Sequence, residues 1–340
     1  MKSTRGNFFE DFEKGMVLRH AAPRTVTEGD AALYTALTGD RRPLHCAATV
    51  ARAVGYRRES VHDLLTFHIV FGKSVGDVSL NAVANLGYAD VRFLSPVFPG
   101  DTLRAESEVL GRRETSSGKS GIVWVRTRGL DQDDREVLRY CRWVMVEKRA
   151  AEPTGAADAP VLPKEVPAVE LRAPAIDARA FPAWATGGRA LFADYQVGER
   201  IHHVDGMTVE EADHMLATRL YQNTARVHFN QHQMAGSRFG RRLVYGGHVV
   251  SLAYALAYNG LENAVAMLAW NAGSHLSPTF AGDTLYAYTD VVDKAPLGDG
   301  FGALRVKLHA VKNADPSAEA VAEDDPRRVL MLDAWLAVVA

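Results

Sequence analysis

Leu94-Ser-Pro-Val-Phe-Pro-Gly-Asp-Thr-Leu103 returns later in the chain as Leu276-Ser-Pro-Thr-Phe-Ala-Gly-Asp-Thr-Leu285, an offset of 276 − 94 = 182 residues. Asn81-Ala-Val-Ala84 and Asn263-Ala-Val-Ala266 share that offset. Upstream, Phe9 to His45 lies over Phe192 to His228 at 192 − 9 = 183 without a gap, and 12 of the 37 positions are identical, among them His20/His203, Thr25/Thr208, Glu28/Glu211, Asp30/Asp213 and His45/His228. Composition alone would give about two or three identities. One ancestral unit has been duplicated and fused. Two copies are too few for a solenoid, so each should be a compact unit that buries one face against its twin.

Within each copy the same elements are expected. Thr25-x-x-Glu28 and Thr208-x-x-Glu211 have the capping-box pattern and predict short helices running to about Leu37 and Leu220. A second helix follows at about Asp63 to Ser74 and at about Gly247 to Tyr258. Apolar residues run nearly all round these two, which marks them as buried. Beyond them, Leu103, Ala105, Ser107 and Val109 alternate with Arg104, Glu106 and Glu108. Leu304, Val306, Leu308 and Ala310 alternate with Arg305, Lys307 and His309. Both runs read as half-buried antiparallel strands. One buried helix followed by a long meander suggests a sheet wrapped around that helix. The expected class is therefore α+β, a tandem (double) hotdog with its two sheets joined edge to edge.

The expected boundaries are an N-terminal repeat over 1–149, a linker over 150–190 and a C-terminal repeat over 191–340. The linker opens with an Ala/Pro-rich stretch, Ala150 to Ala180, that lacks sustained periodicity and should drape over the surface. A second polar, acidic loop runs from Asn313 to Arg328, and neither segment should carry chemistry. At 340 residues and 47% hydrophobic, the chain can bury two cores, one per half. A formal net charge of 39 − 41 = −2 argues against nucleic acid or a membrane as the main partner. Cys46 and Cys141 are the only cysteines, so neither a disulfide framework nor a zinc cluster is expected. No apolar leader or membrane-length run is evident, which points to the cytoplasm. Homo-oligomerisation stays open.

Tyr34-Thr-Ala-Leu-Thr-Gly-Asp40-Arg-Arg42-Pro-Leu-His45, with Ala51 six residues on, resembles the hydratase motif of MaoC-like (R)-specific enoyl-CoA hydratases, except that Arg42 stands where that family usually has Asn. Over its whole length the chain is similar to the mesaconyl-CoA hydratase (methylmalyl-CoA dehydratase) family of double-hotdog enzymes. Asn7-Phe-Phe-Glu-Asp-Phe12, Phe67-His-Ile-Val-Phe-Gly-Lys73, Leu80-Asn-Ala-Val-Ala-Asn-Leu-Gly-Tyr88, Arg142-Trp-Val-Met-Val146, Leu220-Tyr-Gln-Asn-Thr-Ala-Arg-Val-His-Phe-Asn230 and Val244-Tyr-Gly-Gly-His248 carry this resemblance. It implies reversible hydration of a branched, dicarboxylic acyl-CoA, with acyl-CoA as the partner and no metal or organic cofactor.

Such chemistry needs a base for water, an acid for Cα and donors for the enolate-like thioester oxygen. Asp40 and His45 follow the first helix on a Gly/Pro-marked turn and supply one candidate pair. Alternatively, Asp40 closes the turn and His45 is a satisfied core histidine. The repeat places Asn223 and His228 at the same positions. Asn has no titratable group, so the second half would keep one acid/base member and one positioning amide. Either half is a candidate. Gly246 and Gly247 precede the second buried helix and offer backbone N–H groups at its positive end as an oxyanion hole, or else form a plain turn.

Arg238, Arg241 and Arg242, with Arg57 and Arg58 in the first half, are candidates for the CoA phosphates or are solvated surface side chains. Arg226, two residues before His228, is the candidate for a second substrate carboxylate. Two alternatives share the fold. One is a thioesterase with its carboxylate at the buried helix, where Asp63 is the candidate; the other is a non-catalytic acyl-thioester binder.

Overall fold

The computed structural model describes residues 2–340. The first half contains β1 (Val17–Arg19), β2 (Arg24–Thr25), α1 (Glu28–Thr38), α2 (Pro43–Cys46), α3 (Ala48–Ala53), α4 (Asp63–Ser74), β3 (Ala82–Phe93), β4 (Thr102–Glu114), β5 (Ser120–Leu130) and β6 (Glu136–Glu147). After a short β7 (Ala157–Asp158), the second half contains β8 (Arg200–Thr208), α5 (Glu211–Leu220), α6 (Gln231–Met234), α7 (Gly246–Leu256), β9 (Ala264–His275), β10 (Thr284–Gly298), β11 (Phe301–Lys312) and β12 (Arg328–Val339).

The strands form one antiparallel sheet ordered β1-β4-β5-β6-β3-β9-β12-β11-β10-β8. Helix α4 packs on β4 to β6, and α7 on β8 and β10 to β12. This is the double hotdog. The halves meet where β3 pairs with β9: Tyr88 faces Gly273 and Val91 faces Trp270. The 182-residue offset exchanges these two pairs, so the junction is isologous, as across a two-fold axis. The buried helices meet on the same axis, where His68 Nε2 lies 2.7 Å from Ser251 Oγ, partners separated by the 183-residue repeat. The main hydrophobic core is shared rather than divided into one core per half. It unites Phe67, Ile69 and Tyr140 with Leu252, Trp270 and Leu332.

Local details depart from the pattern-based expectations. Thr27 caps α1, accepting from Asp30 N while the Asp30 carboxylate reaches back to Thr27 N, and α5 has no side-chain cap. The repeated Thr25 and Thr208 instead make equivalent cross-strand pairs with Thr102 (2.7 Å) and Thr284 (2.8 Å). His309, expected on a solvent face, is buried and stacks on Tyr288. The Ala/Pro-rich stretch does drape over the sheet, but it is anchored: Val166, Ile176, Ala178 and Phe181 are buried against Phe301, Trp335 and Val50 of α3. Anchoring by a few scattered apolar residues leaves no period for sequence to display.

Burial lowers the pKa of His45, His203, His228 and His275 to about 4 and that of His248 to about 3, from an ordinary value of 6.5. As pH falls below about 6.5 the unfolded chain takes up these protons first, so stability present above that pH is lost progressively towards pH 4. Each residue adds up to about 1.4 kcal/mol per pH unit in that window. The melting temperature should therefore fall between pH 7 and pH 5 with proton uptake on unfolding. A flat profile would contradict the neutral buried histidines.

Candidate functional site

The two repeated motifs have different fates. In the first half, Asp40 is 6% and Arg42 2% exposed. Their side chains form an ion pair, and Arg42 N donates to Asp40 Oδ1 (2.9 Å). The Arg42 guanidinium lies 3.5 Å from the centre of the Tyr254 ring on α7 and donates to Tyr254 O. Burial by itself would raise the Asp40 pKa, but Arg42 and then His62 hold the carboxyl well below its usual range. An acid so tied is a poor proton acceptor. His45 places Nδ1 3.1 Å from Ser60 Oγ, and its ring centre lies 4.5 Å from that of His62 at a tilt of 45°. The departure at Arg42 thus changes the electrostatics of its motif by giving Asp40 a buried counter-ion.

The second motif opens on a cavity of about 700 Å³ lined by Asn223, Arg226, His228, Tyr245, Gly246 and His275 together with Phe71 of α4, Asn85 and Tyr88 of β3, and Arg142 of β6. It is therefore built by both halves. His228 sits on a 3-10 turn, Arg226–His228, after α5. Its Nδ1 donates to Leu243 O (3.1 Å), which fixes the tautomer and leaves Nε2 without a protein partner. Burial, opposed by that hydrogen bond, brings its pKa to about 4, so the ring is neutral at pH 7. Asn223 is buried, and its Oδ1 accepts from Ala225 N (3.0 Å). The geometry of His228 repeats that of His45: Leu243 is the 183-residue counterpart of Ser60.

Helix α7 begins at Gly246, with Tyr245 as N-cap and no capping side chain, so its first N–H groups lack intrahelical partners. Gly246 lines the cavity, whereas Gly247 does not. The glycines also have a packing reason. A Cβ at Gly246 would meet the His275 ring at 2.5 Å, and one at Gly247 the Tyr245 ring at 2.5 Å. In the first half the corresponding helix start is Asp63, whose half-buried carboxylate accepts from Met267 N (2.9 Å). His62 Nδ1 accepts from Leu64 N, and His248 Nδ1 lies 3.2 Å from Tyr221 Oη, contacts that fit the structural reading of both rings.

Of the candidate arginines, Arg226 and Arg238 reach the cavity, and the exposed Arg238 lies against Phe239 (4.5 Å). The other four do not line it. Arg241 stacks on Phe280 at 3.9 Å, and Arg242 is ion-paired with Glu211. Arg57 pairs with Asp101 (3.2 Å), and Arg58 with Glu28 (2.7 Å) and Glu59 (2.8 Å). Arg57, Arg58 and Arg242 thus have local acid partners, and Arg241 has an aromatic one.

Two cavity residues were not singled out from sequence. His275 is half-buried and has no hydrogen-bond partner among the described residues, and desolvation lowers its pKa to about 4. Its repeat counterpart is Phe93, a break in the repeat directly ahead of the matched Leu-Ser-Pro turns. Arg142 lies on the inward parity of β6 with Leu138, Tyr140, Val144 and Val146. A lone charge on an apolar face was the available signal.

A duplicated sheet around two buried helices, with a hydratase-type His on the loop after the short helix of one repeat, defines a double-hotdog protein of the MaoC-like class. Comparison narrows this class. The sequence profile of the mesaconyl-CoA hydratase family matches residues 2–317, and the chain belongs to that family. It is 50% identical over 340 residues to the beta-methylmalyl-CoA dehydratase of Chloroflexus aurantiacus, covering 98% of this chain and 97% of the relative. It is 51% identical to the mesaconyl-CoA hydratase of Cereibacter sphaeroides, covering 99% of each. A solved Chloroflexus aurantiacus structure, assigned to the MaoC-domain dehydratases, superposes with a TM-score of 0.96 at 47% identity, covering 100% of this chain and 99% of that one. A Mycobacterium tuberculosis protein described as a double hotdog superposes with a TM-score of 0.78 at 28% identity, covering 98% of each. No helix among the described residues is long and apolar enough to cross a membrane.

Proposed function

We propose that the chain reversibly hydrates a branched, dicarboxylic enoyl-CoA of the mesaconyl type, in the cavity that carries Asn223 and His228. The observation that carries this assignment is a neutral His228 whose free Nε2 shares the cavity with the open N–H of Gly246. The thioester oxygen accepts from Gly246 N–H at the positive end of α7, so negative charge developing there is stabilised. Asn223 orients a water, and His228 Nε2 takes its proton as the hydroxyl adds to the β-carbon. The imidazolium then returns a proton to Cα as the enolate collapses. Water is added in full and the enzyme ends unchanged, without a metal or organic cofactor. Arg238 at the exposed rim is suited to a CoA phosphate.

Thioester hydrolysis fits less well, because its candidate carboxylate, Asp63, is occupied by Met267 N–H and lies off the cavity wall. Following enoyl-thioester absorbance and free thiol together with mesaconyl-CoA tests the assignment. Loss of absorbance without thiol release is expected. Thiol release would indicate hydrolysis, and no change in either would leave a binding protein.

A further inference from the structure

Arg142 is 0% exposed in the middle of the sheet, and no carboxylate among the described residues pairs with it. Its Nη2 donates to Ser74 Oγ (2.9 Å) and Ser79 Oγ (3.3 Å), while Nε and Nη1 are buried without partners. A guanidinium that is always charged and lacks a counter-ion costs several kcal/mol to bury. Fold alone does not require it. Strand β12 holds the counterpart row, since Trp270 pairs with Ala334 as Tyr88 pairs with Arg142. Leu138, Tyr140, Arg142, Val144 and Val146 there become Leu330, Leu332, Ala334, Leu336 and Val338.

The position of the charge matters more than its presence. Arg142 lines the same cavity as His228. From His228 the wall runs to the Tyr245 ring (5.5 Å), on to Phe71 (5.5 Å), and to the Arg142 guanidinium 4.3 Å from the Phe71 ring centre. Other polar atoms wait beside it: Tyr245 Oη and the Asn85 side-chain amide are buried on this cavity without partners. Buried polar groups left unsatisfied in a native fold mark a missing partner.

We propose that Arg142, assisted by Tyr245 Oη and Asn85, receives the second carboxylate of the acyl group and so selects dicarboxylic over monocarboxylic acyl-CoA. The inference rests on the hydratase assignment. With the thioester oxygen at Gly246 and the β-carbon at His228, a carboxylate on that carbon extends along the Tyr245–Phe71 wall towards the guanidinium. Arg226, the cation expected from sequence, is half exposed on the same wall and has far less desolvated charge to offer.

The test compares kcat/KM for mesaconyl-CoA and crotonyl-CoA in the wild type, Arg142→Met, Arg142→Lys and Arg226→Met. The dicarboxylate preference of the wild type should collapse by about 10²-fold in Arg142→Met, recover in part in Arg142→Lys, and persist in Arg226→Met. An unchanged preference in Arg142→Met, or a collapse in Arg226→Met alone, overturns the assignment. If Arg142→Met fails to fold, calorimetric binding of methylsuccinyl-CoA against 2-methylbutyryl-CoA to the wild type decides: equal affinities overturn it. A wild type that hydrates both enoyl esters without preference refutes the role of Arg142 and leaves hydration standing. A wild type that hydrates neither refutes both.

Discussion

Replacing His228 by Ala is expected to lower kcat/KM for enoyl-CoA hydration by about 10²- to 10⁴-fold, the usual contribution of a positioned acid/base group, with little change in melting temperature. His228 makes a single hydrogen bond, through Nδ1, and lines the cavity with its other nitrogen unpartnered among the described residues. His45→Ala should behave in the opposite way, since His45 packs on His62 and Ser60 away from the cavity wall. Its loss costs stability and spares the turnover of folded enzyme. Asp40→Asn separates the halves further. It strips the buried Arg42 of its counter-ion, which destabilises by about 3–5 kcal/mol, and it should leave turnover per folded molecule close to wild type. If Asp40→Asn and His45→Ala both lose rate at unchanged melting temperature, the working site is in the first half. Steady-state kinetics and thermal melts on the same preparations give the answer.

Gly72→Ala carries the second large effect, and its sign runs against helix propensity. In an open helix this change stabilises by about 1 kcal/mol. Here a Cβ on Gly72 of α4 would lie 1.9 Å from Tyr221 O, backbone against backbone, at the start of the segment that carries Asn223 and His228. Neither side can yield by rotating a side chain. The cost should be about 3 kcal/mol in denaturant unfolding, and kcat should fall as well because the displaced segment holds the acid/base group. An equal or raised denaturation midpoint would show that α4 does not clamp this loop.

Much of the fold is visible in the chain because duplication writes it twice. The bounds of α4, Asp63 to Ser74, follow from an all-round apolar run, and the inward row of β4, Leu103 to Val109, follows from alternation. Contacts set by tertiary approach are not visible in this way. Nothing in Asp40-Arg41-Arg42 says that Arg42 folds back on Asp40 and onto Tyr254 of the other half, so sequence left the two halves level while the structure ties up the first. Asn223 and His228, the equally weighted candidates of the second half, line the cavity. Sequence proximity also favoured Arg226 over Arg142, although β6 displayed its clue in an inward row of Leu, Tyr, Arg, Val and Val. Where the repeat is broken, at Phe93/His275 and Arg142/Ala334, the second residue of one pair and the first of the other line the cavity.

The most direct measurement is a crystal structure of the protein with methylsuccinyl-CoA, a saturated dicarboxylic ester that cannot react. The thioester oxygen should accept from Gly246 N–H, with the β-carbon within reach of His228 Nε2, about 3 Å directly or through one water, and the far carboxylate at Arg142. An acyl chain lying instead beside Asp40 and His45 would contradict the assignment of the working site to the second half.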